Sequence, residues 1–379
     1  MSLIENSGGV DGFVEYMVKK KSLVSSARSS LMLSYAIGVF IFIESSITAL
    51  ISGAVGKPLC DRYKVPHAKL AFVCDSTSAP ISSLIVLNGW GALLLGLIST
   101  QISMGIIEGD AVSILIDSVI YNIYAMSALV VTFLSVYFSI DIGAMRDAKY
   151  IPSQNDTKSF KSASMYYMIL PIFLMIGLVF VFLYLSGDGD ILKGSGSSSI
   201  FYTMLSTLFF MFLYYIPSKN MTLGMWGKTA LKGAKKLFPI AMILLFAFAI
   251  GKVTGELKTG LYLATLANEG LNLYFLAGVI FLLSSLIAFS TGTSWGTFSI
   301  MIPVAVPMAV AMDGDVALCI GAVISGGVFG DHCSPISDTT IISSMAADCE
   351  VVEHVKTQLP YALISGVISL FLFIVLSIF

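Results

Sequence analysis

Charge is scarce in this chain. Only 12% of its 379 residues are Asp, Glu, Lys or Arg, about half of the ~25% carried by an ordinary soluble domain. A chain that is 56% hydrophobic with so little charge cannot hide its apolar side chains from water, so its solvent is expected to be lipid. The 21 basic and 23 acidic residues leave a net charge of -2, which gives no electrostatic case for nucleic acid. Cysteine is sparse: Cys60, Cys74, Cys319, Cys333 and Cys349 show no CxxC or metal-binding spacing. They are expected to be reduced and mostly buried. Three scattered histidines leave little for a zinc site, and no cofactor is expected. The first 28 residues lack the apolar core of a cleavable signal peptide; they carry Lys19, Lys20, Lys21 and Arg28 instead. No GxGD motif of an intramembrane aspartyl protease precedes either buried-looking aspartate: the text before one is Gly327-Val328-Phe329-Gly330-Asp331.

What is abundant is apolar sequence in long runs. A membrane span needs about 20 apolar residues. Clean candidates are 113–140, 164–185, 198–217, 237–252 and 358–379. Four further stretches are interrupted. Residues 31–56 break at Glu44-Ser45-Ser46, 66–99 at Asp75 to Ser78, 316–345 between Asp331 and Thr340, and 273–312 at Ser290 to Ser294. The last is too long for one span and is expected to turn back on itself. Lys and Arg favour cytoplasmic loops. The basic stretches 18–28 and 57–69 flank 31–56, so this stretch is also expected to be a re-entrant hairpin, with both ends inside. Basic loops 141–163 and 218–236 then fall inside, and acidic or mixed loops 100–112, 186–197 and 253–272 outside. The two hairpins therefore enter from opposite faces. The expected fold is an all-α, inverted-repeat membrane transporter with two re-entrant hairpins, two broken helices and about seven full spans. Its expected parts are an N-terminal cytoplasmic or interfacial segment (1–30), a first core repeat (31–110), scaffold helices (111–272), a second core repeat (273–350) and a last span (351–379).

The breaks echo one another. Ser45 is followed by Thr48 and Pro58 at the same distances as Ser294 by Thr297 and Pro307. With one inserted residue, the text from Asp75 to Ser82 and that from Asp331 to Ser337 both read D-x-x-S-P-I-S. Unwound backbone survives in hydrocarbon only where it lines a cavity or binds something. Paired broken helices in inverted repeats place a cation site near the midplane. An intramembrane carboxylate is costly unless paired or cation-bound, and burial favours its protonated form. One group can then hold Na+ or H+ in turn. Asp331 is the first candidate, then Asp75 and the hairpin-tip Glu44. Asp338 is a second ligand or a helix cap. Hydroxyl oxygens for Na+ are expected from Ser45, Thr48, Ser78, Thr293, Ser294, Thr297, Ser334 and Thr339, with close helix packing as the alternative for Ser294 and Thr297. Asp117 reads as interfacial. His332 reads as a proton shuttle or a local hydrogen-bond partner.

The run Gly330-Asp331-His332-Cys333-Ser334-Pro335-Ile336-Ser337-Asp338-Thr339-Thr340, continued by His354 to Tyr361, resembles the NhaC-type sodium/proton antiporter family. So do Asp61 to Lys64, Asp75 to Pro80 and the Thr291 to Thr297 tip. The likeness implies exchange of Na+ for H+ in an inner (plasma) membrane with a cytoplasmic N-terminus. Its partners are then the lipid bilayer, Na+, H+ and, as an open expectation, a second copy in a homodimer. In some relatives of that family the cargo is a small organic acid or amino acid, and Trp295 with the small-residue tips would frame such a cargo. Two departures stand out. The family's first tip commonly carries paired aspartates where this chain has Glu44-Ser45-Ser46. The start is also short, so the chain reads as lacking N-terminal spans, with 10–20 as an interfacial helix left without its partners.

Overall fold

The computed structural model describes residues 2–9, 12–13, 15–16, 24–42, 44–151, 163–189, 196–257 and 272–378. Among them there are helices and no strands. In chain order the helices are α1 (Ser2–Asn6), α2 (Ala27–Phe40), α3 (Ser45–Tyr63), α4 (His67–Ser76), α5 (Ala79–Leu84), α6 (Gly89–Ser103), α7 (Ala111–Ile120) and α8 (Ile123–Tyr137). They continue with α9 (Tyr166–Ser186), α10 (Gly196–Tyr215), α11 (Leu223–Glu256), α12 (Leu276–Thr291), α13 (Ser294–Ala311), α14 (Val316–Cys333), α15 (Asp338–Ala347) and α16 (Val351–Leu376). Six helical segments are long and apolar enough to cross a bilayer among the described residues, or seven if the pair His67–Leu84 and Gly89–Ser103, bent by 41°, forms one span.

The chain divides into two compact units. One holds residues 1–23 and 153–242, the other 24–152 and 243–379. In the first, α9 packs on α10, and the Tyr215 hydroxyl donates to the carbonyl of Tyr167 at 2.5 Å. The second unit holds both hairpins and both broken helices.

The hairpins form where a polar, helix-capping residue interrupts an apolar run. Glu44 sits at extended dihedrals before α3, and its carboxylate accepts from the amides of Ser46 and Ile47. Thr293 does the same for α13, accepting from Gly296. Side-chain acceptors at this position satisfy amides that have no partner within the helix. Gly292 closes α12 in the left-handed region at φ 66°.

The repeat has one register. Four boundaries in the second copy lie 249 residues after their counterparts in the first: Ser45 and Ser294, His67 and Val316, Leu84 and Cys333, Gly89 and Asp338. Lys64 and Asp313, both in the left-handed region, obey the same spacing. The D-x-x-S-P-I-S echo is therefore not the structural register, because it joins Asp75 to Asp331 seven residues out of step. Seven residues are about two helical turns, so a slip of that size keeps each residue on its face and preserves the textual match. In the true register Asp331 corresponds to Ser82, and Asp75 to Ile324.

Other expectations need correction. The span candidate 113–140 holds as Ala111–Tyr137, but its helix is interrupted at Tyr121 and Asn122, between α7 and α8. Residues 237–252 belong to the 34-residue α11. The first hairpin does not end at 56; α3 runs through Pro58 to Tyr63, so Lys57 and Arg62 stand on a helix rather than in a loop. The stretch 10–20 lies largely outside the described residues.

Glycine sets a close helix pair. On α14, Gly326 and Gly330 face α12. A Cβ on Gly326 would come within 2.3 Å of the Phe281 carbonyl oxygen, and one on Gly330 within 2.1 Å of the Ser285 carbonyl oxygen. Lipid gives no hydrophobic drive for helices to associate, so this small-xxx-small contact secures the pair by close packing.

Candidate functional site

Each break is tied to a hairpin tip. In the first repeat the Asn88 side chain caps α6 and donates to the carbonyls of Phe42 at 3.0 Å and Ser82 at 2.8 Å. In the second the Ser334 hydroxyl donates to the carbonyl of Phe289 at 2.8 Å. The breaks are held by polar side chains, as backbone at membrane depth requires.

Asp331 ends the long arm α14 and is 2% exposed. Its neighbours are the Ser294 and Ser337 hydroxyls and the carboxylate of Asp338. Its Oδ1 atom has no hydrogen-bond partner among the described residues. Ser294, buried on the hairpin tip, donates to the carbonyl of Gly327 at 3.1 Å. Thr339 lies 3.1 Å from Ser337, hydroxyl to hydroxyl. Asp338 opens α15, is exposed, and feels the charge of Glu44 from the first tip.

Asp75 is fully buried in a second cluster. Its Oδ2 accepts from Gln358 Nε2 at 2.7 Å and lies 3.2 Å from His354 Nε2. The hydroxyls of Thr340 and Ser343 each approach its carboxylate at 3.4 Å. Gln358 Nε2 also donates to the His332 carbonyl at 2.6 Å. His332 touches both Ser76, at 3.2 Å through Nε2, and Tyr124, at 2.7 Å through Nδ1. The residue after Asp331 thus reaches into the Asp75 cluster.

Several candidates stand elsewhere. Glu44 uses both carboxylate oxygens on backbone amides, at 3.1 and 2.9 Å, so it is a helix cap in this structure. Thr48 donates to the carbonyls of Ile41 and Glu44. Ser78 donates to the backbone carbonyl of Asp75, not to its carboxylate. Thr297 donates to the Thr293 carbonyl. Ser45 is buried beside the first tip. Asp117 is exposed and lines a separate cavity of about 430 Å³ with Glu108 and Asp315.

Sequence reasoning did not single out His354, Gln358, Tyr124, Ser76, Thr340 and Ser343, which the structure gathers around Asp75 and His332. One signal was available. His354 and Gln358 are four residues apart on α16 and so share a face, near the start of the helix.

This arrangement of hairpin tips against broken helices, with buried carboxylates where they meet, is that of a polytopic helical transporter, not an enzyme. The chain belongs to the Na+/H+ antiporter family, whose sequence profile matches residues 88–378. An uncharacterized protein of Haemophilus influenzae is 33% identical over 95% of this chain and 73% of its own length. The malate-2H+/Na+-lactate antiporter of Bacillus subtilis is 33% identical over 35% of this chain and 29% of its own. The fold is similar to the Alcanivorax borkumensis YdaH transporter, with a TM-score of 0.67 over 99% of this chain and 82% of that one at 16% identity.

Proposed function

We propose that the protein exchanges Na+ for H+ by alternating access, with Asp331 as the carboxylate that holds one or the other. The observation that carries this reading is the Asp331 Oδ1: a buried carboxylate oxygen with no partner among the described residues, set among hydroxyls and a second carboxylate. A buried polar atom left unpaired is costly. A proton or a hard cation offsets that cost, and Na+ takes oxygen ligands of the kind that Asp331, Ser294, Ser337 and Thr339 present. When Asp331 binds Na+ it gives up its proton, and the reverse, which makes the two ions compete for one place. The two hairpin-and-break repeats, inverted across an inner membrane with the N-terminus cytoplasmic, would carry this site past the remaining helices. Membership of the family supports the ion pair exchanged.

The test is proton flux in proteoliposomes under an imposed pH gradient. Adding Na+ is expected to collapse the gradient with the wild-type chain, and Asp331→Asn is expected to abolish that response. An Asp331→Asn protein that exchanges at the wild-type rate would overturn the assignment.

A second reading is a Na+- or H+-coupled carrier of a small organic anion. The name of the Bacillus subtilis relative supports it, as does Trp295. This residue stands in the first turn of the second tip, partly exposed, with its ring 5.9 Å from that of Trp90. Quenching of Trp295 fluorescence by malate or lactate would favour this carrier.

A further inference from the structure

Away from the carboxylate clusters, a cavity of about 190 Å³ opens between the start of α2, the α3–α4 link and the end of α8. Three cations line it, Arg28, Lys64 and Lys69, against a single acid, Asp141. That acid is already used: Lys69 Nζ sits 2.7 Å from its Oδ1, and also contacts Ser135 at 2.5 Å and Tyr361 at 3.3 Å. Arg28 and Lys64 are exposed, and neither forms an ion pair among the described residues. Pro66, at the cavity wall, begins α4 with no side-chain cap, so the positive end of that helix adds to the field. Leu31, Val136 and Met145 add apolar lining to the same cavity.

We infer that this cavity is a binding site for a phosphate group, and that its natural occupant is the headgroup of an anionic phospholipid. The surplus of two positive charges calls for an anion. Arg28 and Lys64, exposed and with no acidic partner among the described residues, can contact phosphate oxygens, Arg28 through two parallel hydrogen bonds while its guanidinium lies over the Tyr137 ring. The apolar lining suits the glycerol and upper chain of a lipid, which free phosphate would leave uncovered. The preference of Lys and Arg for cytoplasmic loops assigns the same basic segments to the cytoplasmic side, where anionic headgroups attract them. A phosphate bound here would bridge α2 to the α3–α4 link, and so join the first hairpin to the start of its broken helix.

The experiment is thermal unfolding of the purified full chain in detergent, with added phosphatidylglycerol, phosphatidylethanolamine or inorganic phosphate. Phosphatidylglycerol is expected to raise the midpoint of the wild type, and phosphatidylethanolamine to do so much less. The double variant Arg28→Ala/Lys64→Ala is expected to lose the gain, whereas Lys232→Ala/Lys235→Ala, made on the other basic segment, keeps it. If inorganic phosphate reproduces the full gain, the site holds but its occupant is the free anion. No gain from either anion, or the same gain in the Arg28/Lys64 variant as in the wild type, would overturn the proposal.

Discussion

Asp75 and Asp331 are both buried aspartates, yet their side chains face opposite situations. Asp75 is met by donors from α15 and α16, while Asp331 keeps an oxygen with no hydrogen-bond partner among the described residues. Removal of the two carboxyls should therefore read out differently. Asp75→Ala strands the His354 and Gln358 donors, at about 1–3 kcal/mol for each buried group left unsatisfied. It should lower the unfolding midpoint clearly, and Asp75→Asn, which keeps one acceptor oxygen, should lower it less. Asp331→Asn should leave the midpoint near wild type and instead remove any stabilisation by Na+, since a ligand stabilises only the state that binds it. Thermal unfolding with and without Na+ checks both. A third residue-scale expectation concerns Cys349, in the link between α15 and α16. Burial first, then the charges of Glu353, Glu350 and Asp348, push its thiol up to about 12. The thiolate is the reactive form. Alkylation by iodoacetamide at pH 8 should therefore be slow, and should speed up in Glu353→Gln. The sign follows from the cause: removing a negative neighbour lowers the thiol's pKa and raises the thiolate fraction.

At the scale of elements, the contact between α12 and α14 depends on having no side chain at Gly326 and Gly330. Gly330→Ala would push its Cβ into the backbone of α12, one residue before Asp331. Overpacking of this kind costs about 1–3 kcal/mol. Both the unfolding midpoint and Na+-driven proton flux are expected to fall, and a variant with wild-type values in both would refute the contact. This pairing was invisible in the sequence, where Gly326 and Gly330 were only small residues in an apolar run. The hairpin tips were legible, because Glu44 and Thr293-Ser294 interrupt hydrophobic text with cap chemistry that has few other uses. The α7–α8 break was not. Asn122 makes it by capping α8 and bonding Ser83 at 2.8 Å, a tertiary partner that the local text does not announce.

For the whole molecule, the constant spacing of 249 residues supplies matched positions for testing inversion. Lys64 and Asp313 follow the two hairpins at equivalent places, and both are exposed. If the repeats are inverted, Lys64→Cys should be labelled by a membrane-impermeant maleimide from the cytoplasmic side and Asp313→Cys from the outer side. Labelling of both from one side would refute the inverted arrangement. The amino-acid sequence by itself determined the apolar, helical class and the places where polar residues interrupt its long apolar runs. Hydropathy and cap residues act locally, over one helix or one turn, and so can be read in order along the chain. Only the tertiary structure decided which register relates the repeats, that Asp75 is satisfied by His354 and Gln358 from nearly three hundred residues away, and that Asp331 is not. Hydrogen-bond saturation of a buried carboxylate depends on what other helices bring to it. Two aspartates embedded in similar text can therefore end with different hydrogen-bond partners.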